Sequence, residues 1–262
     1  MTLSARPAEI LANRRWRHRQ KPFPHFVAEN VFISEFARAL EQDFQEILNR
    51  GLAEYNDPER FARNMLNSDA YAWNFPPEIE GSLAVFYSLA WHELLCCLTK
   101  VECTMDVNGA LHHHHVHSRN GSVHRDLGVG WFSTQKRRDG VNPMDLSRCS
   151  YTHGTVGAQT AHSRETVRAV TMIYYLANQR WSPGDGGETG LYESAFDPVE
   201  RPSVTVPPVD NSLLIFENTP DSYHSFIANP RNTRNSVILW LHRTKESTIK
   251  RWPAEHIYKW SV

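Results

Sequence analysis

Several features that would narrow the function are scarce in this chain of 262 residues. Basic residues number 28 and acidic residues 29, so a net charge of −1 gives no general attraction to nucleic acid or to an anionic membrane. No apolar run is long enough for a membrane helix, and the first twenty residues lack the apolar core of a secretory signal. These absences favour a cytoplasmic protein that acts on neither nucleic acid nor membranes.

Cysteine is also rare, and its spacing excludes two kinds of metal site. The chain has Cys96, Cys97, Cys103 and Cys149, and none of them forms a CxxC pair. Structural zinc sites and iron–sulfur clusters need thiolates at regular spacing. We therefore expect reduced, mostly buried thiols. Histidine, in contrast, is plentiful at 14 residues.

The chain divides into a basic start and one large remainder. Residues 1–24 are arginine-rich and predict a flexible arm, either a solvated tail or a contact for a phosphate-rich partner. Residues 25–262 predict a single domain. Within it, residues 133–165 are polar and irregular, which is typical of an active-site lid or of a disordered insertion.

Hydrophobic periodicity predicts two helices followed by strands. Apolar residues recur at helical spacing from Ser34, a candidate N-cap, to Arg50, and again from Glu78 to Leu98. Short β-branched and aromatic segments then predict strands at 103–117, 122–132, 168–176, 188–193, 211–217 and 235–243. This order indicates an α+β fold in which helices buttress a β-sandwich or barrel.

A candidate metal site begins at the triplet His124-Arg125-Asp126. In an extended segment, residues two apart point to the same side, so the imidazole and the carboxylate project together. His224 lies in a second segment, between two apolar strands. Two histidines and one carboxylate on one face of an octahedron are typical of non-haem Fe(II) oxygenases.

Arg234 is the candidate partner for a dicarboxylate co-substrate. It opens the last strong predicted strand, and Ser236 faces the same side. A keto acid that chelates iron needs a cation at its far carboxylate, and the planar guanidinium matches a carboxylate bidentately.

Taken in order, six segments resemble the 2-oxoglutarate/Fe(II) dioxygenase superfamily, in its prolyl-4-hydroxylase-like branch. They are NGSVHRD (120–126), RAVTMIYYLANQRW (168–181), DGGETGLY (185–192), NSLLIFEN (211–218), SYHSF (222–226) and RNSVILW (234–240). The resemblance covers about residues 100–245. It implies a mainly β, double-stranded β-helix (jelly-roll) core supported by the N-terminal helices.

The resemblance also implies the roles of individual residues. His124, Asp126 and His224 would bind Fe(II), and Arg234 would bind the distal carboxylate of 2-oxoglutarate. Tyr175 matches a position whose hydroxyl donates a hydrogen bond to that carboxylate. The neighbouring Tyr174 would then point to the opposite side of the strand and pack there. The expected reaction consumes O2, releases succinate and CO2, and oxidises an unactivated C–H bond. Because Asp126 is present, hydroxylation is favoured over halogenation.

The substrate is less constrained than the reaction. A covering loop and one domain favour a small molecule, such as an amino acid or a specialised metabolite. A peptidyl (prolyl-type) hydroxylase is the alternative within the same chemistry. A non-catalytic metal-binding jelly roll is the alternative from another class, and Arg234 with Ser236 argues against it.

Other histidines are given a structural interpretation. The run His112–His115 with His117 predicts one polar side of a strand, since a metal needs convergent ligands rather than a row. A second metal site is the alternative. His153 and His162 fall in the predicted lid, where contact with substrate is a further possibility.

Overall fold

The computed structural model describes residues 7–63, 69–135, 140–155 and 162–259. Within these ranges the helices are α1 (Pro7–Ile10), α2 (Ser34–Leu48), α3 (Leu89–Thr99), α4 (Lys245–Arg251) and two 3₁₀-helices, Ser82–Tyr87 and Ala254–His256. None of the described helices is long and apolar enough to cross a membrane.

The described strands form one large and one small sheet. The strands are β1 (Arg17–Arg19), β2 (His25–Ala28), β3 (Leu52–Ala53), β4 (Phe61–Ala62), β5 (Ala70–Asn74), β6 (Asp106–His114), β7 (Val129–Ser133), β8 (Asn142–Pro143), β9 (Ser163–Tyr175), β10 (Thr189–Tyr192), β11 (Val204–Val206), β12 (Ser212–Glu217), β13 (Tyr223–Phe226) and β14 (Arg234–Thr244). The large sheet has the order β1-β2-β12-β9-β14-β6-β5-β4-β3, with β7 on β9 and β8 on β6; the small sheet has the order β11-β10-β13. The architecture is therefore mainly β, with few helices.

The two faces of the large sheet bury different sets of side chains. On one face, Trp91 of α3, Tyr174 of β9 and Leu239 of β14 belong to one apolar cluster. On the other face, Tyr175 and Phe216 pack with Leu191 of the small sheet in a second cluster. Because side chains alternate along a strand, the sheets form a sandwich whose inner face carries Tyr175.

The helices differ in detail from the sequence-based expectation. Ser34 is the first helical residue of α2 and does not cap it; Ile33 precedes it without a side-chain cap. The helix predicted over 78–98 is interrupted at Ser88, whose hydroxyl accepts a hydrogen bond from the Trp91 amide at 3.2 Å. Because an N-cap residue has a non-helical backbone, Ser88 ends the 3₁₀-helix and begins α3.

The described part of the predicted arm, residues 7–24, lies against the sandwich. Strand β1 pairs with β2 in antiparallel register, and Leu11 forms an isolated bridge with Phe32. Ile10 is buried in the helix-side cluster. The basic side chains of Arg17 and Arg19 remain exposed at the sheet edge.

Candidate active site

Three side chains that could hold a metal ion meet at the end of the small sheet. The ligand atoms of His124, Asp126 and His224 all lie within 4.8 Å of one another. His224 belongs to β13, whereas His124 lies outside the named strands and reaches β13 through an isolated bridge. The prediction of a strand over 122–132 is therefore wrong for residues 122–128, because β7 begins only at Val129. The two bridging amides donate reciprocally to the opposite carbonyls, at 3.0 and 2.8 Å.

Backbone carbonyls orient both imidazoles in the same way. Nδ1 of His124 lies 2.8 Å from the Ser122 carbonyl, and Nδ1 of His224 lies 3.1 Å from the Ser222 carbonyl. A carbonyl only accepts, so each Nδ1 carries a proton, and Nε2 is the ring nitrogen that could bind a metal. These Nε2 atoms lie 3.9 and 3.7 Å from the Asp126 carboxylate oxygens. Two imidazoles and a carboxylate suit Fe(II).

The protonation states support this donor set. Burial lowers the pKa of His224 to about 4, with the neighbouring His124 acting in the same direction. Burial alone would raise the pKa of Asp126, but attraction to Arg168 and to the two imidazoles outweighs it and holds that pKa well below its usual range. Near neutral pH, His224 is therefore neutral and Asp126 is charged.

A ring of donors fixes the Asp126 carboxylate. Its Oδ2 accepts from Trp240 Nε1 at 2.6 Å and from Thr171 Oγ1 at 3.0 Å. Its Oδ1 accepts from the Arg168 guanidinium at 3.2 Å. The guanidinium carbon of Arg168 lies 4.2 Å from the centroid of the Trp240 ring. Such outer contacts orient a metal ligand before the metal binds.

Arg168 also ties the predicted lid to the metal ligands. Its Nε donates to the Tyr151 hydroxyl at 3.0 Å, and Tyr151 is buried. The described residues 140–155 therefore contact the neighbourhood of Asp126 through Tyr151. Lys136, Arg137, Arg138 and residues 156–161 lie outside the described residues. His153 and His162 are exposed and are not part of the candidate metal cluster.

Arg234 lies on the same inner face but lacks a carboxylate partner within the described ranges. It is 3% exposed, and it donates to Ser236 Oγ at 2.8 Å and to Thr189 Oγ1 at 3.3 Å. Its Nε has no hydrogen-bond partner there. Burial lowers the pKa of Arg234. A buried cation bonded only to neutral hydroxyls is costly, and a carboxylate ligand would relieve that cost.

The two neighbouring tyrosines point in opposite directions, as the alternation of a strand requires. The Tyr175 hydroxyl lies 2.7 Å from Thr189 Oγ1, and the Arg234 guanidinium lies 5.3 Å from the Tyr175 ring centroid. Tyr174 packs on the other face against Phe32 and Phe86. Tyr175 therefore stands beside Arg234, where a distal carboxylate would lie.

The histidine run divides between the two faces of β6. His113 faces the helix side and hydrogen-bonds Asn235 at 2.7 Å. His112 and His114 face inward, opposite Ser236 and Arg234 of β14. The polar side predicted for His113, His115 and His117 is therefore incomplete, because β6 ends at His114 and His117 has a positive φ of 69°. Among the described residues, the run forms no metal cluster.

Four inward residues of this site were missed from sequence. Thr171 precedes Tyr175 by four positions, and Trp240 follows Ser236 by four, so strand alternation could have found both. Thr189 had no such signal. Arg168 could not be found by alternation, because the register between β9 and β14 shifts beside Leu241 and His242. The irregularity turns Arg168 inward, to the side of Thr171.

Comparisons with known proteins test the resemblance to the 2-oxoglutarate/Fe(II) dioxygenases. A model described as "2OG-Fe(II) oxygenase superfamily" matches residues 146–242, a range that includes His224 and Arg234 and begins after Asp126. Over that range the chain is similar to the 2-oxoglutarate/Fe(II) oxygenase superfamily. It is a 2-oxoglutarate-dependent dioxygenase, and this family uses Fe(II), 2-oxoglutarate and O2. No curated protein matches its sequence.

Solved structures share the fold of this oxygenase at low identity. A prolyl-4-hydroxylase from Pseudomonas putida superposes with a TM-score of 0.53 at 15% identity, covering 84% of this chain and 92% of that one. A Trichoplax adhaerens prolyl hydroxylase, in complex with a hypoxia inducible factor peptide, gives 0.53 at 16% identity, covering 86% of both chains. A viral collagen prolyl hydroxylase from Paramecium bursaria Chlorella virus-1 gives 0.51 at 9% identity, covering 84% of this chain and 96% of that one. At these identities the likeness concerns the fold.

Proposed function

We propose that this oxygenase hydroxylates an unactivated C–H bond of a small molecule, such as an amino acid or a specialised metabolite, within a double-stranded β-helix core. In this proposal His124, Asp126 and His224 hold Fe(II), and Arg234 binds 2-oxoglutarate with help from Ser236 and Tyr175. One observation carries it. A 2-His-1-carboxylate set and a buried arginine that has no carboxylate partner among the described residues face the same inter-sheet space.

Each residue has a distinct task in this proposal. The imidazoles of His124 and His224 and the carboxylate of Asp126 occupy one side of the metal. When bound, Fe(II) supplies the activation of O2, coupled to decarboxylation of 2-oxoglutarate to succinate and CO2. Arg234 attracts the distal carboxylate, and Ser236 and Tyr175 offer hydroxyl donors to it. Trp240 and Thr171 hold the Asp126 carboxylate in place.

The small-molecule assignment rests on how the site is covered. Tyr151, from the described part of segment 133–165, is buried and contacts Arg168 beside Asp126. This arrangement leaves less room for a polypeptide than an open groove would. His124 is exposed and marks the open side of the cluster. The four cysteines are free, in keeping with a reducing compartment such as the cytoplasm.

A peptidyl hydroxylase is the second candidate. The observation in its favour is the fold shared with the Trichoplax prolyl hydroxylase, whose structure contains a peptide. Succinate release would separate the two, with pools of amino acids and metabolites tested against proline-containing peptides. Stimulation by the peptides alone would favour the second candidate.

The anaerobic chelate tests the cofactor site directly. Purified apoprotein receives Fe(II) and then 2-oxoglutarate, and the visible charge-transfer band of the chelate is recorded. We expect the band in the wild type and its loss in His224→Ala. In Arg234→Met, higher 2-oxoglutarate concentrations should be needed to form it. A wild type that binds Fe(II) without giving a band would contradict the proposed function and favour a non-catalytic metal-binding module.

A further inference from the structure

His112 lies on the wall between the two ends of the candidate site. Its Cα pairs with Ser236 of β14, and Ser236 in turn pairs with Tyr175 of β9. His112, Ser236 and Tyr175 therefore form one row across three adjacent strands of the inner face, with neighbours about 4.8 Å apart. Two members of that row stand beside Arg234.

Charges from both ends of the site act on this imidazole. Burial lowers the pKa of His112 to about 3, and Arg234 acts in the same direction while Asp126 opposes it. The His112 ring also meets the Trp240 ring edge-on, with centroids 6.4 Å apart. Trp240 is the residue that donates to Asp126. His112 therefore lies between the arginine and the metal ligands.

The ring of His112 forms no hydrogen bond within the described residues, and Nδ1 of His114, the next inward residue of β6, also lacks a partner there. His113 hydrogen-bonds Asn235, and both metal-site histidines bond backbone carbonyls. The backbone of His112 pairs within the sheet, and the residue is only half-buried. A neutral imidazole has one N–H to donate. The adjacent inward positions on β6 hold Ala110 and His114, the cross-strand position on β14 holds Ser236, and the His114 ring is stacked on Phe226.

We propose that His112 is a co-substrate-binding residue, which donates its N–H to 2-oxoglutarate between the metal ligands and Arg234. The inference rests on the proposed function. 2-Oxoglutarate carries only acceptor oxygens at neutral pH, so a neutral N–H on the wall complements it. The donor adds to the affinity for the co-substrate and requires no change in the charge of His112.

The test is the affinity for 2-oxoglutarate, measured without turnover. The anaerobic chelate band is titrated with 2-oxoglutarate in Fe(II)-loaded wild type, His112→Phe and His112→Gln. Phenylalanine keeps a planar ring but removes the donor, so we expect an affinity about tenfold weaker. Glutamine keeps an N–H donor and should restore most of that loss.

His113→Phe is the matched control on the same strand. This change removes the hydrogen bond to Asn235 on the opposite face, so it should alter unfolding without altering the affinity for 2-oxoglutarate. Histidine-selective ¹⁵N spectra add a second readout, in which the His112 ring signal should shift on addition of 2-oxoglutarate. Equal affinities in wild type and His112→Phe, with the band present in both, would overturn this inference alone. Absence of the band in the wild type would overturn the proposed function as well.

Discussion

Two buried arginines share the inner face of the large sheet, yet their surroundings differ. Arg168 contacts the Asp126 carboxylate and the hydroxyls of Tyr151 and Tyr258. Arg234 contacts Ser236 and Thr189, which are neutral. Burial opposes the charge of both. At Arg168, attraction to Tyr151, Tyr258 and Asp126 outweighs burial, and the pKa of Arg168 is raised. At Arg234, burial is the larger effect, and the pKa of Arg234 is lowered.

This difference separates an arginine that is paired with a carboxylate from one that has only hydroxyl partners among the described residues. The charge of Arg168 is balanced inside the protein by the Asp126 carboxylate, which it holds in position. In the proposed function, the distal carboxylate of 2-oxoglutarate would balance the charge of Arg234. Stability and ligand affinity should therefore respond in opposite ways when each arginine is replaced.

The largest expected effect is on stability, in Arg168→Met. The Asp126 carboxylate would lose its cation, and breaking a buried pair from one side typically costs about 3–5 kcal/mol in the free energy of unfolding. Urea unfolding of the metal-free protein measures the loss. Arg251→Met is the control, because Arg251 pairs with Glu217 at a site where its side chain is 47% exposed, and we expect less than about 1 kcal/mol there. Similar losses of unfolding free energy in Arg168→Met and Arg251→Met would contradict the view that the buried Arg168–Asp126 pair stabilises the fold.

Arg234→Met should change ligand affinity rather than stability. Losing two charge-assisted hydrogen bonds should weaken 2-oxoglutarate binding by about 100-fold. The metal-free variant should be as stable as the wild type or more stable, because an unpaired buried charge has been removed. The chelate titration and urea unfolding give the two values. Arg231→Met is the control, since Arg231 is exposed and pairs with Asp185. A strongly destabilised Arg234→Met protein would show that its charge is already balanced.

The smallest expected effect concerns the hydroxyl beside Arg234. Tyr175→Phe removes one donor from the inner face, and we expect 2-oxoglutarate affinity to fall by roughly three- to tenfold. Tyr174→Phe is a matched control from the same strand, because the Tyr174 hydroxyl bonds Asn211 on the helix side. That variant should bind 2-oxoglutarate normally. If both variants bind equally well, Tyr175 contributes packing alone.

The spacing of chemical groups along the chain was sufficient to predict which three residues form the candidate metal cluster. An HxD triplet, a distant histidine between apolar strands, and an arginine at the start of the last strand can be recognised without coordinates. The structure brings His124, Asp126 and His224 together, and Arg234 is buried on the inner face with Ser236. The resemblance to a family added Tyr175, which lies beside Arg234.

Local sequence was less reliable for elements whose ends depend on packing. His124 was predicted within a strand, but its pairing is a single bridge to His224. Segment 133–165 was predicted to be irregular, yet Tyr151 is buried against Arg168 and His242. The boundaries of a helix such as α3 depend on one hydroxyl at Ser88, which hydrophobic periodicity does not reveal.

By itself, the sequence determined the kind of chemistry, because ligand types and strand alternation are properties of neighbouring residues. Only the tertiary structure decided which of the two arginines has a counter-ion within the described part of the chain. Arg168 turns inward where the register of β9 against β14 shifts, and Arg234 is buried among hydroxyls from β10 and β14. Both outcomes depend on contacts between residues far apart in the chain, and no local pattern encodes them.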